Sequence, residues 1–251
     1  DKWKHKFELK ENRWVYVPSE EMLKFGKKIH QYIRHKWKYP LYMYHLRDGG
    51  HVAAAKLHEK NDYFSLIDIS DFFGSTMQSR VTDELKKLIP YAKAREIAKL
   101  STVRIPNANG LKHAIPYGYP QSPILATLMF HNSYCGGVIN TINKSGHVTV
   151  SVYMDDIILS SDDLAQLNQA FDTVCEALRK SRYEVNENKT QSPSTMINVF
   201  NLELSGNSLR VSPERPVWFI QAYVKSDNEH ERKGIASLVH SVNPDQARLH
   251  F

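Results

Sequence analysis

Cysteine is scarce in this chain: Cys135 and Cys175 are the only two among 251 residues. Two cysteines cannot build a disulfide scaffold, and no CxxC pair offers zinc-ligand spacing. A reducing compartment, the cytoplasm, is the expected setting. Long apolar runs are missing too. None approaches the ~20 residues that span a bilayer. The opening Asp1-Lys2-Trp3-Lys4-His5-Lys6 holds no signal-peptide core, so no membrane role is expected. Glycine and proline number eleven each, too few for a low-complexity chain. With 41% hydrophobic residues, whole-chain disorder is excluded. No internal repeat is visible.

What the sequence does have is a mild excess of positive charge, +6 in all. That balance fits a polyanionic partner without requiring one. Its position is more telling. Residues 22–47 hold seven Lys or Arg and no acid, so the rest of the chain is close to neutral. The length allows one large domain or two small ones.

Arg13-Trp14-Val15-Tyr16-Val17-Pro18 reads as a strand closed by proline. Ser19 then fits an N-cap with Glu20 and Glu21 in the first turn. Met22, Phe25, Ile29, Ile33 and Trp37 recur at helical spacing, which predicts a helix over 19–37. Its other face carries Lys24, Lys27, Lys28, Arg34 and Lys36. Lysine and arginine can contact phosphates without reading sequence, and the nearby aromatics can stack on unpaired bases.

A short helix is expected over 52–58 and an apolar strand over 63–69. Helices follow over 76–89, 91–100 and 122–141, with a loop at 106–110 between the second and third. Val148–Tyr153 and Ile157–Leu159 are β-rich arms with Met154-Asp155-Asp156 between them, a hairpin with two aspartates at its tip. A helix capped by Ser160 or Ser161 presents Leu164, Leu167, Phe171, Val174 and Leu178. Tyr183–Val185 reads as a short strand. Residues 196–204 and 208–211 read as a hairpin, and 213–251 as helical with proline breaks. From 63 to 185 the order approaches a split β-α-β-β-α-β unit. It predicts an α+β fold with an antiparallel sheet.

Asp68 ends an apolar strand, and Asp155 and Asp156 interrupt β structure. In a split unit the first strand and the hairpin are neighbours, so Asp68 and Asp155 are expected side by side. Like charges that close need a shared cation, and magnesium suits oxygen ligands. Paired carboxylates can hold two ions about 3.5–4 Å apart for phosphoryl transfer.

At these residues the chain resembles a reverse transcriptase. Tyr153-Met154-Asp155-Asp156 is similar to that family's YxDD box, and Asp68-Ile69-Ser70-Asp71-Phe72-Phe73 to its first-carboxylate box. The resemblance runs over nearly the whole chain and is strongest to the bacterial retron and abortive-infection group. Three positions depart from the pattern. Ala54 stands for the asparagine of the retron NAxxH box ending at His58. Tyr117 stands for the glutamine of the PQGxPxSP loop over 116–123. Val199-Phe200-Asn201 stands for VTG.

The resemblance implies a right-hand polymerase fold with an antiparallel palm sheet, helical fingers and a short helical thumb. It places fingers at 1–62, palm at 63–75, fingers and palm helices at 76–117, palm with a primer-grip-like hairpin at 118–212, and part of the thumb at 213–251. It implies RNA-directed DNA synthesis from dNTPs with two Mg2+ ions, or Mn2+ in their place. Asp68, Asp155, Asp156 and the carbonyl of Ile69 would hold metal. Lys189 would act as general acid. Arg13, Arg47, Asp71, Phe73, Tyr117 and Gly118 would meet the nucleotide, with Phe73 refusing a 2′-hydroxyl. Implied partners are an RNA template, a DNA product and a structured non-coding RNA, with a partner protein or a second copy of the chain left open. Bacterial antiphage defence is the implied setting. The alternatives are a template-independent DNA polymerase, which Tyr117 motivates, and a catalytically silent nucleic-acid-binding module. His58 is expected to be packed or hydrogen-bonded rather than a ligand.

Overall fold

The computed structural model describes residues 1–10, 13–105, 112–212 and 228–250, with side chains as far as residue 248. The chain folds as two compact units. One holds Asp1–Pro40, Ile69–Val138 and Glu176–Glu184; the other holds Leu41–Asp68, Ile139–Cys175 and Val185–Phe251.

The first unit opens with β1 (Trp3–Lys10), antiparallel to β2 (Arg13–Pro18), with Phe7 opposite Val15 and Lys6 opposite Tyr16. Sequence patterning misses β1 because no face of it is buried; all eight residues are exposed. After Pro18, Ser19 caps α1 (Glu20–Lys36) by accepting from the Met22 amide at 3.2 Å. The buried stripe is Met22, Gly26, Ile29 and Ile33, with Phe25 only partly covered. Gly26 belongs in that stripe for lack of a side chain: a Cβ there would sit 2.2 Å from Gln121 Oε1. The glycine lets the helix approach the chain at 120–121.

In the second unit, Tyr42 and Met43 lie alongside the later hairpin strand, and α2 spans Gly50–Lys56, two residues earlier than expected. β3 (Tyr63–Ser70) is buried along Phe64–Ile69, as its continuous apolar run requires. Back in the first unit come α3 (Gln78–Leu85), α4 (Tyr91–Leu100), and the short antiparallel pair β4 (Val103–Arg104) and β5 (His113–Ala114). The loop expected at 106–110 lies outside the described residues.

The apolar stretch expected as one helix over 122–141 is two, α5 (Ser122–His131) and α6 (Tyr134–Ser145). Ser133 makes the break. Its hydroxyl accepts from the Gly136 amide at 3.1 Å and so caps α6. Gly136 is needed there, because a Cβ would lie 2.1 Å from the His131 carbonyl.

β6 (Thr149–Tyr153) and β7 (Asp156–Ser161) form the hairpin, and β7 pairs antiparallel with β3. The cap of α7 (Leu164–Lys180) is Asp163, not Ser160 or Ser161: its Oδ1 accepts from the amides of Ala165 and Gln166. The two serines sit inside β7 instead, where backbone pairing claims them. Asp163→Ala leaves the Ala165 and Gln166 amides without their acceptor and should lower the midpoint of unfolding in urea.

Beyond β3 lie β8 (Glu184–Val185) and β9 (Gln191–Ser194). The segment expected as a two-stranded hairpin is a three-stranded meander: β10 (Met196–Val199), β11 (Leu202–Ser205) and β12 (Ser208–Val211). Phe200 and Asn201, at φ 55° and 61°, form a two-residue turn that splits the run. α8 (Glu229–Val242) and α9 (Pro244–His250) follow. Val239, Val242 and Ala247 share one core with Phe64, Leu66, Ile158 and the meander. The open edge of β12 is covered by side chains: Gln246 bonds both backbone groups of Val211, and Asn243 donates to the Leu209 carbonyl. Proline breaks at Pro213 and Pro216 lie outside the described residues, and Pro244 opens α9.

Candidate active site

The register of β3 against β7 runs from Tyr63 opposite Ser161 to Asp68 opposite Asp156. The ladder therefore sets Asp68 across from Asp156, not Asp155. Within the hairpin Tyr153 pairs with Asp156, which leaves Met154 and Asp155 as the two-residue turn. The expectation of both aspartates at the tip, with Asp155 beside Asp68, is corrected by one residue. Asp156 has ladder partners on both sides, and a turn residue cannot.

Met154 has φ 54°, a left-handed conformation that a non-glycine residue adopts only when its surroundings enforce it. Here a neighbour does. The Met154 amide donates to His45 Nδ1 at 3.0 Å, and the Val152 amide donates to the Tyr42 carbonyl at 2.8 Å. The His45 ring also meets the Tyr153 ring edge-on at 5.9 Å. No signal in the sequence pointed to His45, because its partner is 109 positions away. His45→Ala should slow any chemistry at the turn about tenfold, the loss of one half-buried hydrogen bond. His45→Asn, whose Oδ1 can accept from the same amide, should recover part of it; turnover measured on both variants checks this.

Asp68 is held on every side. Its Oδ1 accepts from Asn186 Nδ2 at 2.8 Å and its Oδ2 from Lys189 Nζ at 3.0 Å. Its carbonyl accepts from the Asn186 amide at 2.8 Å, and its own amide donates to Thr190 Oγ1 at 3.1 Å. The side chain is 5% exposed, whereas that of Lys189 is 56% exposed. Sequence reasoning found Lys189 but missed Asn186 and Thr190. The signal was present in Asn186-Glu187-Asn188-Lys189-Thr190, a polar turn placed directly after a short strand.

Asp156 responds to the crowd. Burial first, then the charges of Asp155 and Asp68, push its carboxyl up to about 7. Pairing with Asp68 raises Lys189 above the usual lysine range. A raised carboxyl means that the folded chain binds a proton the unfolded chain has released. The associated stability is present at low pH and is lost as pH rises through about 7. In EDTA, Asp156→Asn should therefore melt above the parent at pH 8, by an amount on the order of a few kcal/mol. The gap should close toward pH 4, as thermal melts across that range would show.

Among the described residues, no group of three or more His, Cys, Asp or Glu side chains stands in a ready-made metal-binding arrangement. The donor chemistry still suits a hard divalent cation. Asp68 and Asp156 share one register position, Asp155 adjoins them, and the amine of Lys189 supplies the positive charge. Ile69, the proposed carbonyl donor, follows Asp68 on β3 with its side chain buried.

The nucleotide candidates fall into two groups. Arg13, Asp71, Phe73, Tyr117 and Gly118 belong to the first unit, whereas Arg47 belongs to the second. Arg13 donates to the Tyr117 hydroxyl at 2.8 Å and lies 4.5 Å over its ring. Phe73 meets Tyr117 at 4.7 Å. Phe72 packs instead against Phe130 and Tyr183, and both phenylalanines of the pair are buried, Phe73 with 8% of its surface exposed. Asp71, at φ 41°, accepts from the Gly74 amide and closes the turn after β3. Gly118 has φ 103°, and a Cβ would meet the Tyr16 carbonyl at 2.3 Å, so its close approach is to β2. Gly118→Ala should cost well over 1 kcal/mol, measurable as a lowered melting temperature. Arg47 donates to the Leu41 carbonyl and lies 4.7 Å over the Tyr44 ring, bracing its own loop. Lys24, Lys27, Lys28, Arg34 and Lys36 are exposed on α1. No helix among the described residues is long and apolar enough to cross a membrane.

Comparison with known proteins bears on the family and the fold. The chain is 26% identical over 185 residues to the Retron Se72 reverse transcriptase of Salmonella heidelberg (strain 579083-10), an alignment covering 72% of this chain and 47% of that protein. It thus spans about half the length of that curated relative. Among solved structures, a foamy viral protease-reverse transcriptase bound to double-stranded DNA matches 93% of this chain and 34% of its own, at 15% identity and a TM-score of 0.52. Telomerase from Candida albicans, with a fragment of telomeric RNA, matches 93% of this chain and 52% of its own, at 10% identity and a TM-score of 0.57. At such identities the likeness concerns the fold, which is the right-hand polymerase fold expected from the sequence. The description "reverse transcriptase (RNA-dependent DNA polymerase)" fits residues 5–204, four-fifths of the sequence, and the chain belongs to that family.

Proposed function

We propose that the chain is an RNA-directed DNA polymerase that makes DNA from dNTPs by two-metal phosphoryl transfer. The observation that carries this reading is the alignment of Asp68 with Asp156 across β3 and β7, with Asp155 on the adjoining turn. Asp68, Asp155 and Asp156 would hold two Mg2+ ions, or Mn2+, and the Ile69 carbonyl would complete the set. Bound metal would supply charge neutralisation at the attacking hydroxyl and at the leaving pyrophosphate.

The remaining roles belong to side chains. Asn186 and Thr190 fix the orientation of Asp68. Lys189 keeps a proton beside Asp68, where it could be given to the pyrophosphate. Arg13 offers a guanidinium for triphosphate oxygens, and Phe73 excludes a ribose 2′-hydroxyl. The cationic face of α1 would take nucleic-acid backbone. The proposed assignment of fingers, palm and thumb follows the ranges given by the resemblance.

The relative's name supports a retron-type enzyme; a structured non-coding RNA as template and antiphage defence in the bacterial cytoplasm are what the resemblance adds to the proposal. Ala54 and Phe200 replace two retron hallmarks, and a partner protein or a second copy of the chain would fit the same biology. Untemplated synthesis is the second reading. Tyr117 favours it, because a ring held by Arg13 stands where relatives place a glutamine that meets template and nucleotide.

Sequencing of nucleic acid that copurifies with the protein, with and without added dNTPs, tests the proposal. DNA complementary to a bound RNA is the expected product. DNA of no templated sequence would support the second reading, and no DNA at all would contradict both.

A further inference from the structure

We propose that Tyr117 is a positioning residue that links two functions, aiming Arg13 at the triphosphate and backing Phe73 as the sugar gate. This rests on the polymerase reading and deepens it.

Four observations place Tyr117 at the junction. Its carbonyl accepts from the Tyr16 amide at 2.9 Å, and residue 117 bridges to Val15 in parallel register, so β2 pins its backbone. The next residue, Gly118, has no room for a side chain against β2, which fixes the approach. The Tyr117 hydroxyl then accepts from Arg13 Nη2, and the guanidinium lies over the ring it came to meet. The ring's other neighbour is Phe73, edge to face. Tyr117 also borders a shallow cleft with Trp14, Tyr16, Asp71, Gly74 and Pro116.

Each contact restrains one freedom. An arginine on a strand end has several rotatable bonds, and stacking plus a hydrogen bond selects one direction for its fork. An aromatic ring works as a steric gate only if it cannot swing aside, and the Tyr117 ring lies against that of Phe73 at 4.7 Å, edge to face. A glutamine could do neither through its ring, because it has none. The side chain at 117 therefore sets nucleotide affinity through its hydroxyl and sugar choice through its ring. The two effects separate by substitution.

The experiment compares the parent with Tyr117→Phe, Tyr117→Ala and Arg13→Ala. It reads steady-state incorporation of dATP and ATP on a primed RNA template, and equilibrium binding of both nucleotides to the primed complex by calorimetry. Tyr117→Phe keeps the ring, so KM for dATP should rise roughly tenfold, the effect of one hydrogen bond to a charged group. Its kcat and its preference for dATP over ATP should stay as in the parent. Tyr117→Ala should lose sugar preference by tenfold or more as well. Adding Tyr117→Phe to Arg13→Ala should change nothing further, because the two share one contact. Melting curves show whether each variant folds, and Tyr117→Phe removes too little to unfold the unit.

Unchanged KM and binding in Tyr117→Phe, or an unchanged dATP preference in a folded Tyr117→Ala, would overturn the inference. A parent that binds dATP in preference to ATP yet makes no DNA would overturn the polymerase reading alone, since the binding ratios still report on Tyr117.

Discussion

Asp155→Asn should leave a folded chain whose DNA synthesis is down on the order of a thousandfold. The size follows from what the carboxylate is asked to do. Stabilising charge at both the attacking and the leaving oxygen contributes several kcal/mol, and each 1.36 kcal/mol is a factor of ten in rate. Asp155 is exposed enough on its turn to meet a cation, and its own backbone is not claimed by the β3–β7 ladder. Its amide replacement has the same shape, so the hairpin survives. Asp68→Asn should fall as far, and it also strands Lys189 without its ion-pair partner. Asp156→Asn should fall less. Asp156 is committed to ladder partners on both sides, Asp68 of β3 and Tyr153 of β6, so it is less free than the turn residue Asp155 to meet a cation. Primer extension in Mg2+, with circular dichroism to show equal folding, ranks the three. Equal rates in the parent and Asp155→Asn would remove the catalytic role from the turn.

The second large effect is on stability. His58 has no exposed surface, and its two ring nitrogens meet Ser160 Oγ at 2.6 Å and Ser151 Oγ at 2.8 Å. Ser151 belongs to β6 and Ser160 to β7, so one imidazole ties both arms of the hairpin that carries Asp155 and Asp156. Asn61 adds bonds to Ser160 and Thr149. His58→Ala removes a buried ring and deprives two buried hydroxyls of a partner, for a cost of about 3–5 kcal/mol at pH 8.

Acid should shrink that difference. Burial lowers His58 to about 3, so below the ordinary histidine value of ~6.5 the unfolded chain gains a proton that the folded chain refuses. This depressed pKa gives stability that is present above about 6.5 and is lost at about 1.4 kcal/mol per pH unit below it. The gap between the parent and His58→Ala should narrow by roughly 2.7 kcal/mol between pH 6.5 and 4.5 in urea titrations. A gap that holds constant from pH 8 to 4.5 would mean that His58 is charged in the folded chain.

Much of this was legible in the sequence, for physical reasons that differ by element. α1 was readable because proline, a serine cap, two glutamates and an apolar repeat agree within 20 residues. β3 was readable because a fully buried strand is a continuous apolar run. β1 was invisible because none of its residues is buried; pairing with β2 and a few exposed contacts, Trp3 on Tyr16 and Lys6 over Trp14, hold it. The break between α5 and α6 was hidden because a serine cap inside an apolar stretch looks like a tolerated polar residue. The Phe200-Asn201 turn was hidden because neither residue is glycine, although both take positive φ.

At the site the same division holds. The aspartates stand out because a carboxylate interrupting β structure is costly without a partner. Their register does not, since it depends on which residue of the hairpin enters the ladder. Lys189 was found by its resemblance, and its bond to Asp68 could come only from the fold. Arg47 is a nucleotide candidate by charge, and its bond to the Leu41 carbonyl could come only from the fold. His45 shows the limit most clearly: it supports the turn through one hydrogen bond to a residue 109 positions away.

The most direct test of the central claim is incorporation of single dNTPs on homopolymer RNA. The purified chain is given a poly(A) template with an oligo(dT) primer in Mg2+, and each dNTP is supplied alone. Extension with dTTP only, absent in Asp155→Asn, is the expected result. Extension with every dNTP alike, or with none, would contradict RNA-directed synthesis at Asp68, Asp155 and Asp156.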